Sequence, residues 1–196
     1  PERGISAETY QEGQFESYDR YHSEDLIHGT LEGGYKINMA EVHTEDESTD
    51  QDGHTTYVTI FYGLFAEVEF DKYISTNIKI RKNAWSIFKK NKIEMDSGEF
   101  EKIYNVYSDD KIVTMQLLTS DIMQMFIDFK ERYKIAPEIT LYNNKMYIRF
   151  RTGDMFEAKI IKKALDYETL KKYYDTINFT LGITEKFLKN IKETEI

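Results

Sequence analysis

Two histidines and one glutamate of this chain could together hold a metal ion. His43 and His54 flank an acidic stretch, residues 44–53, and would lie opposite each other if that stretch is the loop of a hairpin. In the preceding hairpin, centred on a pair of glycines, Glu24 falls opposite His43. Two imidazoles and a carboxylate are sufficient ligands for zinc or iron, so a metal-dependent hydrolase is one possible function. The alternative is that these histidines are exposed at strand ends beside carboxylates.

A second group of candidate residues lies in a basic segment, residues 79–92, which contains six cations and no acidic residue. A contact with a membrane surface or a protein partner would use the residues Lys79, Arg81, Lys82, Trp85, Lys89, Lys90 and Lys92. Each cation near an anionic leaflet contributes about 1 kcal/mol, and an aromatic ring can insert at headgroup level. The alternative is a loop whose aromatic residues pack on the core while its lysines are solvated.

The acidic stretch also resembles the beginning of a calcium-binding EF-hand loop. Ser48, Asp50, Asp52 and Gly53 have the required spacing, but the twelfth position is Thr59 instead of a bidentate glutamate. No flanking helices are expected either. We therefore interpret this stretch as a solvated loop that could bind cations only weakly.

The sequence lacks the motifs of the common catalytic and nucleotide-binding sites. It contains no cysteine, no Gly-x-Ser-x-Gly elbow and no phosphate-binding glycine loop. The formal net charge of −9 argues against a nucleic-acid binder, which usually carries a basic surface. We therefore expect a non-catalytic interaction domain without a cofactor, whose partner is a protein or a membrane surface.

The clearest structural element in the sequence is a long strand, residues 56–71. After Gly63 apolar and polar residues alternate, as in a strand with one buried face. Before Gly63 both faces are apolar or aromatic, so we expect that half to be buried more deeply. Sixteen residues at about 3.3 Å each would span about 50 Å, so the strand must bend, and Gly63 is the natural place.

The other elements follow from periodicity and turn residues. Strands are predicted at residues 26–32, 35–43, 77–82, 111–118, 138–142 and 145–151, the last two joined by an Asn143-Asn144 turn. Helices are predicted at residues 98–107, from Thr119 to the region before Pro137, and from an Asp166 cap to residue 192. The apolar seam of the last helix could dock on the sheet or form a coiled coil.

Together these elements predict one α+β domain over residues 1–196. It would consist of an N-terminal arm (residues 1–25), a sheet-rich core with two helices (26–160) and a long C-terminal helix (166–192). The sheet would be strongly curved and antiparallel, or a partial barrel, and covered by packed helices.

Several segments resemble a bacterial family known as domain of unknown function 3137. They are YHSEDLIHG (21–29), FYGLF (61–65) followed by Phe70 and Lys72, FEKIYNVYSDD (100–110), LLTSDIMQMF (117–126), NNKMYIRF (143–150) and MFE (155–157). The resemblance implies no activity and no catalytic residue. It does imply a membrane-associated bacterial protein in which a hydrophobic anchor precedes this domain, and we expect the domain to be cytoplasmic. A chain that starts at Pro1 without a methionine would suit such an arrangement.

Overall fold

An antiparallel sheet of six strands separates a layer of helices from an N-terminal arm. The computed structural model describes residues 4–31, 34–83, 90–153 and 167–194. The strands are β1 (Arg20–Thr30), β2 (Lys36–Thr49), β3 (Thr55–Lys82), β4 (Lys92–Ile93), β5 (Tyr104–Ser108) and β6 (Glu138–Phe150). The helices are α1 (Ala7–Glu12), α2 (Gly98–Ile103), α3 (Lys111–Leu117), α4 (Ser120–Tyr133) and α5 (Tyr167–Glu193). The α+β prediction is confirmed, and the sheet is open, not a closed barrel.

Strand β3 is the centre of the sheet and is longer than predicted, at 28 residues. Strand β6 pairs along one edge of β3, while β2 and β5 pair with different stretches of the other edge. The separate strand predicted at residues 77–82 is the end of β3. Its Ile78 and Ile80 are buried, as the alternation predicts.

The prediction that the first half of this strand is the more buried one is wrong. Leu64, Phe65 and Ala66 are at most 1% exposed, whereas Tyr57 is 47% and Val58 is 58% exposed. The reason lies in the pairing, because β1 and β6 do not extend alongside residues 55–59. Tyr57 and Val58 therefore have only β2 beside them among the described residues, whereas Phe61, closer to Gly63, is buried.

Gly63 is required by a close backbone approach. A Cβ at this position would lie 2.1 Å from the carbonyl oxygen of Phe150 and 2.6 Å from the amide nitrogen of Thr152. The pairing with β2 continues through Gly63, and the irregularities fall elsewhere, beside Ile60 and between residues 69 and 78. Gly63 thus allows the end of β6 to pack on β3 and is not itself a bulge.

The second predicted hairpin does not form. Residues 138–150 are one strand, and both halves pair with β3 on either side of Asn143. Asn143 has a positive φ of 57°, a conformation that asparagine tolerates better than most residues. The same local preference that suggests a turn here produces a bend, because β3 provides a pairing edge on both sides.

Two further predictions change in the region between β4 and α4. Residues 104–108 are strand β5 and not the end of a helix, because they pair with the last residues of β3. Residues 111–117 are a helix and not a strand. Asp110 caps it, since its carboxylate accepts a hydrogen bond from the amide of Val113 at 3.0 Å.

Helices α2 to α5 cover one face of the sheet. Helix α4 begins after Thr119, as predicted, and its Ile122, Phe126 and Phe129 are buried in the main core. Helix α5 contributes Phe179, Ile183, Phe187, Leu188 and Ile191 to the same core, which confirms docking on the sheet for this part of the helix. No helix among the described residues is both long and apolar enough to span a bilayer. The predicted Asp166 cap lies outside the described residues.

The N-terminal arm (residues 4–19) covers the opposite face. Its Ile5 and Tyr10 form a second buried cluster with Phe61, Phe65 and Tyr147 of the sheet. Strand β1 begins at Arg20, so the arm is shorter than the predicted 25 residues. On the face that sequence alternation marks as polar, Phe65, Tyr147 and Arg149 are therefore buried, while Glu69 and Asp71 stay exposed.

Candidate functional site

The structure does not bring the three predicted metal ligands together. Glu24 lies opposite Glu41, and His43 is paired with His22 on one side and Tyr62 on the other. Strand β2 continues through the acidic stretch to Thr49, so the loop contains only residues 50–54. His54 is therefore about six residue pairs from His43, or about 20 Å along the hairpin. The hydrolase hypothesis loses its ligand set for this reason.

His54 instead belongs to the acidic turn itself. Its ligand atoms lie within 4.8 Å of those of Asp50 and Asp52, and all three residues are exposed. The Oδ1 atom of Asp50 already accepts hydrogen bonds from the amides of Asp52 at 3.0 Å and His54 at 2.8 Å. This arrangement is an ordinary turn organised by an aspartate, which accounts for the cluster without a cation.

The residues of the basic segment have different environments. Trp85 and Lys89 lie outside the described residues. Lys79 is half-buried and lines a shallow pocket together with Lys90. Lys92, in β4, lies opposite Tyr107 of β5. Arg81 lies beneath the N-terminal arm, and Lys82 lines a separate cleft.

Arg81 points beneath the N-terminal arm instead of into solvent. Its guanidinium donates hydrogen bonds to the carbonyl of Ile139 at 2.6 Å, the hydroxyl of Thr140 at 2.7 Å and the carbonyl of Gln14 at 3.1 Å. Its Cζ lies 4.3 Å from the centre of the Phe15 ring. Burial lowers the pKa of Arg81 to about 10, so the group is still charged at neutral pH.

Arg149 on β6 is the centre of a buried ion-pair cluster. Its side chain is 3% exposed and donates to Glu16 of the arm and to Glu138 at the beginning of β6. Burial acts to lower the pKa of Arg149, but the hydrogen bonds of Glu16 and the charges of Glu138 and Glu16 outweigh it and raise that pKa. In turn, burial acts to raise the pKa of Glu16, but Arg149 outweighs this effect and lowers it. Arg149 and Glu16 are therefore both held charged.

A cleft of about 320 Å³ opens next to this cluster; we call it the Arg149 cleft. Four cations line it, Lys82, Lys134, Arg149 and Arg151, together with the two carboxylates Glu16 and Glu138. Its apolar wall consists of Phe61, Ile135 and Ala136. The cations exceed the carboxylates by two, in a chain whose net charge is −9. The cleft is therefore a local positive site on an acidic protein.

Several parts of the fold meet to form the cleft. Lys82 ends β3, and Lys134 ends α4 in a left-handed conformation that turns the chain towards β6. Arg151 follows β6 and donates to the carbonyl of Ile60 at 2.6 Å. The amino groups of Lys82 and Lys134 form no ion pair with any residue that the structure describes, so they are available to a ligand.

Sequence reasoning missed most of this site. The alternation in β6 places Tyr147, Arg149 and Arg151 on one face, which is correct, but that pattern normally indicates a solvated face. The signal that could have found the cleft is the aromatic and acidic composition of the arm, which includes Tyr10, Phe15 and Glu16. Such residues can cover buried arginines.

The chain matches a protein family that has no assigned activity. A family model described as "Protein of unknown function (DUF3137)" matches residues 59–189. No curated protein matches the chain. Among solved structures, the mycobacterial trehalose monomycolate transport factor A, TtfA, is similar to 80% of this chain over 73% of its own length, with 8% identity and a TM-score of 0.41. A similarity at this level carries no inference about function.

Proposed function

The chain belongs to the DUF3137 family of proteins of unknown function, and from this premise we propose that it is a non-catalytic binding domain whose Arg149 cleft holds a phosphate-bearing ligand. The observation that carries this proposal is the excess of cations in the cleft. Lys82 and Lys134 stand at its border without an ion-pair partner among the described residues, beside an arginine whose own carboxylate partners are fixed.

Electrostatics favours an anion at this position. Concave sites lined by charges of one sign concentrate the field and raise the local concentration of counter-ions. Lys82, Lys134 and Arg151 are exposed and can reorient towards a ligand, whereas Arg149 and Glu138 form a rigid base. A group with two negative charges, such as a phosphate monoester, matches the excess of two cations.

The size and lining of the cleft limit the ligand further. A volume of about 320 Å³ lies at the lower end of the range of about 300–1,000 Å³ typical of ligand pockets. Phe61, Ile135 and Ala136 offer a short apolar wall beside the cations. The cleft therefore suits a phosphate group with a small apolar attachment.

Binding without catalysis is supported by the state of Glu16. A general acid near neutral pH needs a raised pKa, but contact with Arg149 lowers the pKa of Glu16 despite its burial. Both carboxylates of the cleft accept hydrogen bonds from the same guanidinium. Neither is free to move a proton without breaking the cluster that holds the arm.

The phosphate could belong to a soluble compound or to a lipid headgroup. Attachment of the domain to a bacterial membrane, on its cytoplasmic side, is part of this proposal and would favour the headgroup. Binding through the basic segment stays a separate prediction, because Lys89 and Trp85 lie outside the described residues. Arg81, which is enclosed beneath the arm, would not take part in it.

The test is a titration of the purified domain with inorganic phosphate, followed by nuclear magnetic resonance. A Lys82→Gln/Lys134→Gln variant should bind phosphate at least fivefold more weakly than the unmodified chain. The matched control is Lys171→Gln/Lys189→Gln, which removes the same charge from exposed positions of α5 and should bind normally. Absence of phosphate binding, or equal weakening in both variants, would refute the proposal.

A second arm of the experiment identifies the source of the phosphate. Vesicles of phosphatidylcholine with and without phosphatidic acid are sedimented with the domain. If the domain sediments only with phosphatidic acid, and the cleft variant does not, the ligand is a headgroup. If phosphate binds but no vesicle does, the ligand is soluble. Both results support the cleft as an anion site.

A further inference from the structure

The hairpin of β2 and β3 extends beyond the rest of the sheet. Pairing of β2 with β1 ends at Glu45, and pairing of β3 with β6 ends at Leu64. Residues 46–49 and 55–58 pair only with each other among the described residues. Together with the pair Glu45–Thr59 they form five pairs, which we call the ribbon. Most of its residues are exposed. It therefore has two outer backbone edges.

The edge formed by β2 is protected against further pairing. The amide of Glu47 donates to the carboxylate of Asp19 at 2.8 Å, and the carbonyl of Glu45 accepts from the amide of Asp19 at 2.9 Å. The side chains of Glu45, Asp46 and Glu47 add three negative charges on this strand. Charges and occupied backbone groups are the usual means by which proteins prevent an edge from pairing.

The edge formed by β3 has no such protection from the residues that the structure describes. Its sequence, TTYVT, contains no charge, proline or glycine, and each residue has a high preference for strands. The last contact along this edge among the described residues is that of Arg151 with the carbonyl of Ile60. Tyr57 and Val58 are 47% and 58% exposed, and the Cζ of Arg20 lies 4.4 Å from the centre of the Tyr57 ring. Unprotected edges of this composition readily accept another strand.

The acidic β2 strand determines which strand would fit. A strand added to the edge of β3 would lie two strand spacings, about 10 Å, from Glu45, Asp46 and Glu47. That distance is about one Debye length at moderate salt, so their charges would still act on it. A second copy of this chain would bring two acidic ribbons together, which is unfavourable. A basic strand would be attracted.

We propose that the β3 edge of the ribbon captures an extended basic segment of a partner protein by β-strand addition. Backbone hydrogen bonds to residues 55–59 would supply affinity, and the acidic residues of β2 would select for lysine and arginine. This site is separate from the Arg149 cleft and does not depend on its function.

The experiment uses a labelled nine-residue peptide of alternating lysine and valine, with a glutamate and valine peptide for comparison. Fluorescence anisotropy should show binding of the basic peptide only, weakening as salt is raised. Val58→Lys, which places a cation on the edge, should weaken binding at least tenfold. Ile112→Lys is the matched control, since Ile112 is 72% exposed on α3, and it should bind normally.

Thermal unfolding followed by circular dichroism verifies that both variants remain folded. Equal binding of the two peptides, or unchanged binding by a folded Val58→Lys variant, would overturn the proposal. Sedimentation velocity tests whether the edge pairs with a second copy of the chain instead. A dimer of the unmodified chain that Val58→Lys converts to a monomer would mean that the edge pairs with a second copy, and this too would overturn it.

Discussion

Glu138 and Arg149 lie eleven residues apart on one strand, yet their side chains form an ion pair with Nη2–Oε2 and Nε–Oε2 distances of 2.5 Å and 2.8 Å. Eleven residues of straight strand would span about 36 Å, far more than two side chains can bridge. Strand β6 must therefore curl until its ends approach each other. This contact shows that the predicted strong curvature of the sheet is correct, and that curvature creates the Arg149 cleft.

Asn143 should be the residue that permits this curl. Its φ of 57° is costly for a β-branched residue, so Asn143→Val should lower the free energy of unfolding by about 1–2 kcal/mol. Asn143→Gly should leave it within about 0.5 kcal/mol of the unmodified chain, since glycine adopts this conformation freely. Urea unfolding measures both. Equal stability of the two variants would show that the backbone bends elsewhere.

Gly63 should be intolerant of any side chain. A Cβ would lie 2.1 Å from the backbone oxygen of Phe150, and backbone cannot move aside as a side chain can. We expect Gly63→Ala to cost about 3 kcal/mol, the upper range for overpacking. Gly53→Ala is the control, because Gly53 also has a positive φ, of 83°, but no atom within 4 Å of its Cβ position. It should cost only about 1 kcal/mol. Similar losses in chemical unfolding would exclude the close approach as the cause.

Arg149 should hold the arm to the sheet. Replacing it by methionine leaves Glu16 and Glu138 without their shared partner, and we expect a loss of about 3 kcal/mol. Hydrogen exchange of residues 4–19 should rise more than that of the main core. Arg132→Met removes an exposed arginine 3.9 Å from Asp175 and should change stability by less than about 0.5 kcal/mol. Unchanged exchange in the arm would contradict this role.

Acid should release the arm. Hydrogen bonding to Tyr147 lowers the pKa of Glu12, and contact with Arg149 outweighs burial and lowers the pKa of Glu16. A carboxylate with a lowered folded-state pKa stabilises the fold above its unfolded value, here 4.5, and this stability is lost as pH falls through the folded value. Hydrogen exchange in residues 4–19 should therefore increase below pH 4.5.

Glu16→Gln provides the comparison for this titration. Its arm should be less protected at neutral pH and should respond less to acid, because one of the two titrating carboxylates is gone. An arm whose exchange has the same pH dependence in both proteins would show that Glu16 does not contribute.

Local signals were reliable where neighbouring segments pair with each other. The β1–β2 hairpin follows from its turn residues and helix α4 from its apolar stripe, whereas the side chain of the N-cap Thr119 forms no capping hydrogen bond. Local signals were unreliable where one residue pattern fits two structures. At Asn143-Asn144, for example, a hairpin turn and a bend within a strand favour the same residue type. The predicted register of β1 failed for a related reason. Thr30 lies opposite Lys36, one residue from the predicted pairing, and the ladder shifts again between Glu24 and Ile27, where Asp25 has a φ of 55°. Glu24 therefore lies opposite Glu41 and not His43.

The sequence by itself determined the α+β class, the antiparallel sheet, the long C-terminal helix and the family, because these depend on periodicity and on short recognisable segments. Only the tertiary structure decided which charges are buried. Alternation along β6 shows that Arg149 and Arg151 share a face, but not what covers it. The partner of Arg149, Glu16, is 133 residues away. Such a pair forms only when curvature brings the ends of β6 together and the arm closes over them.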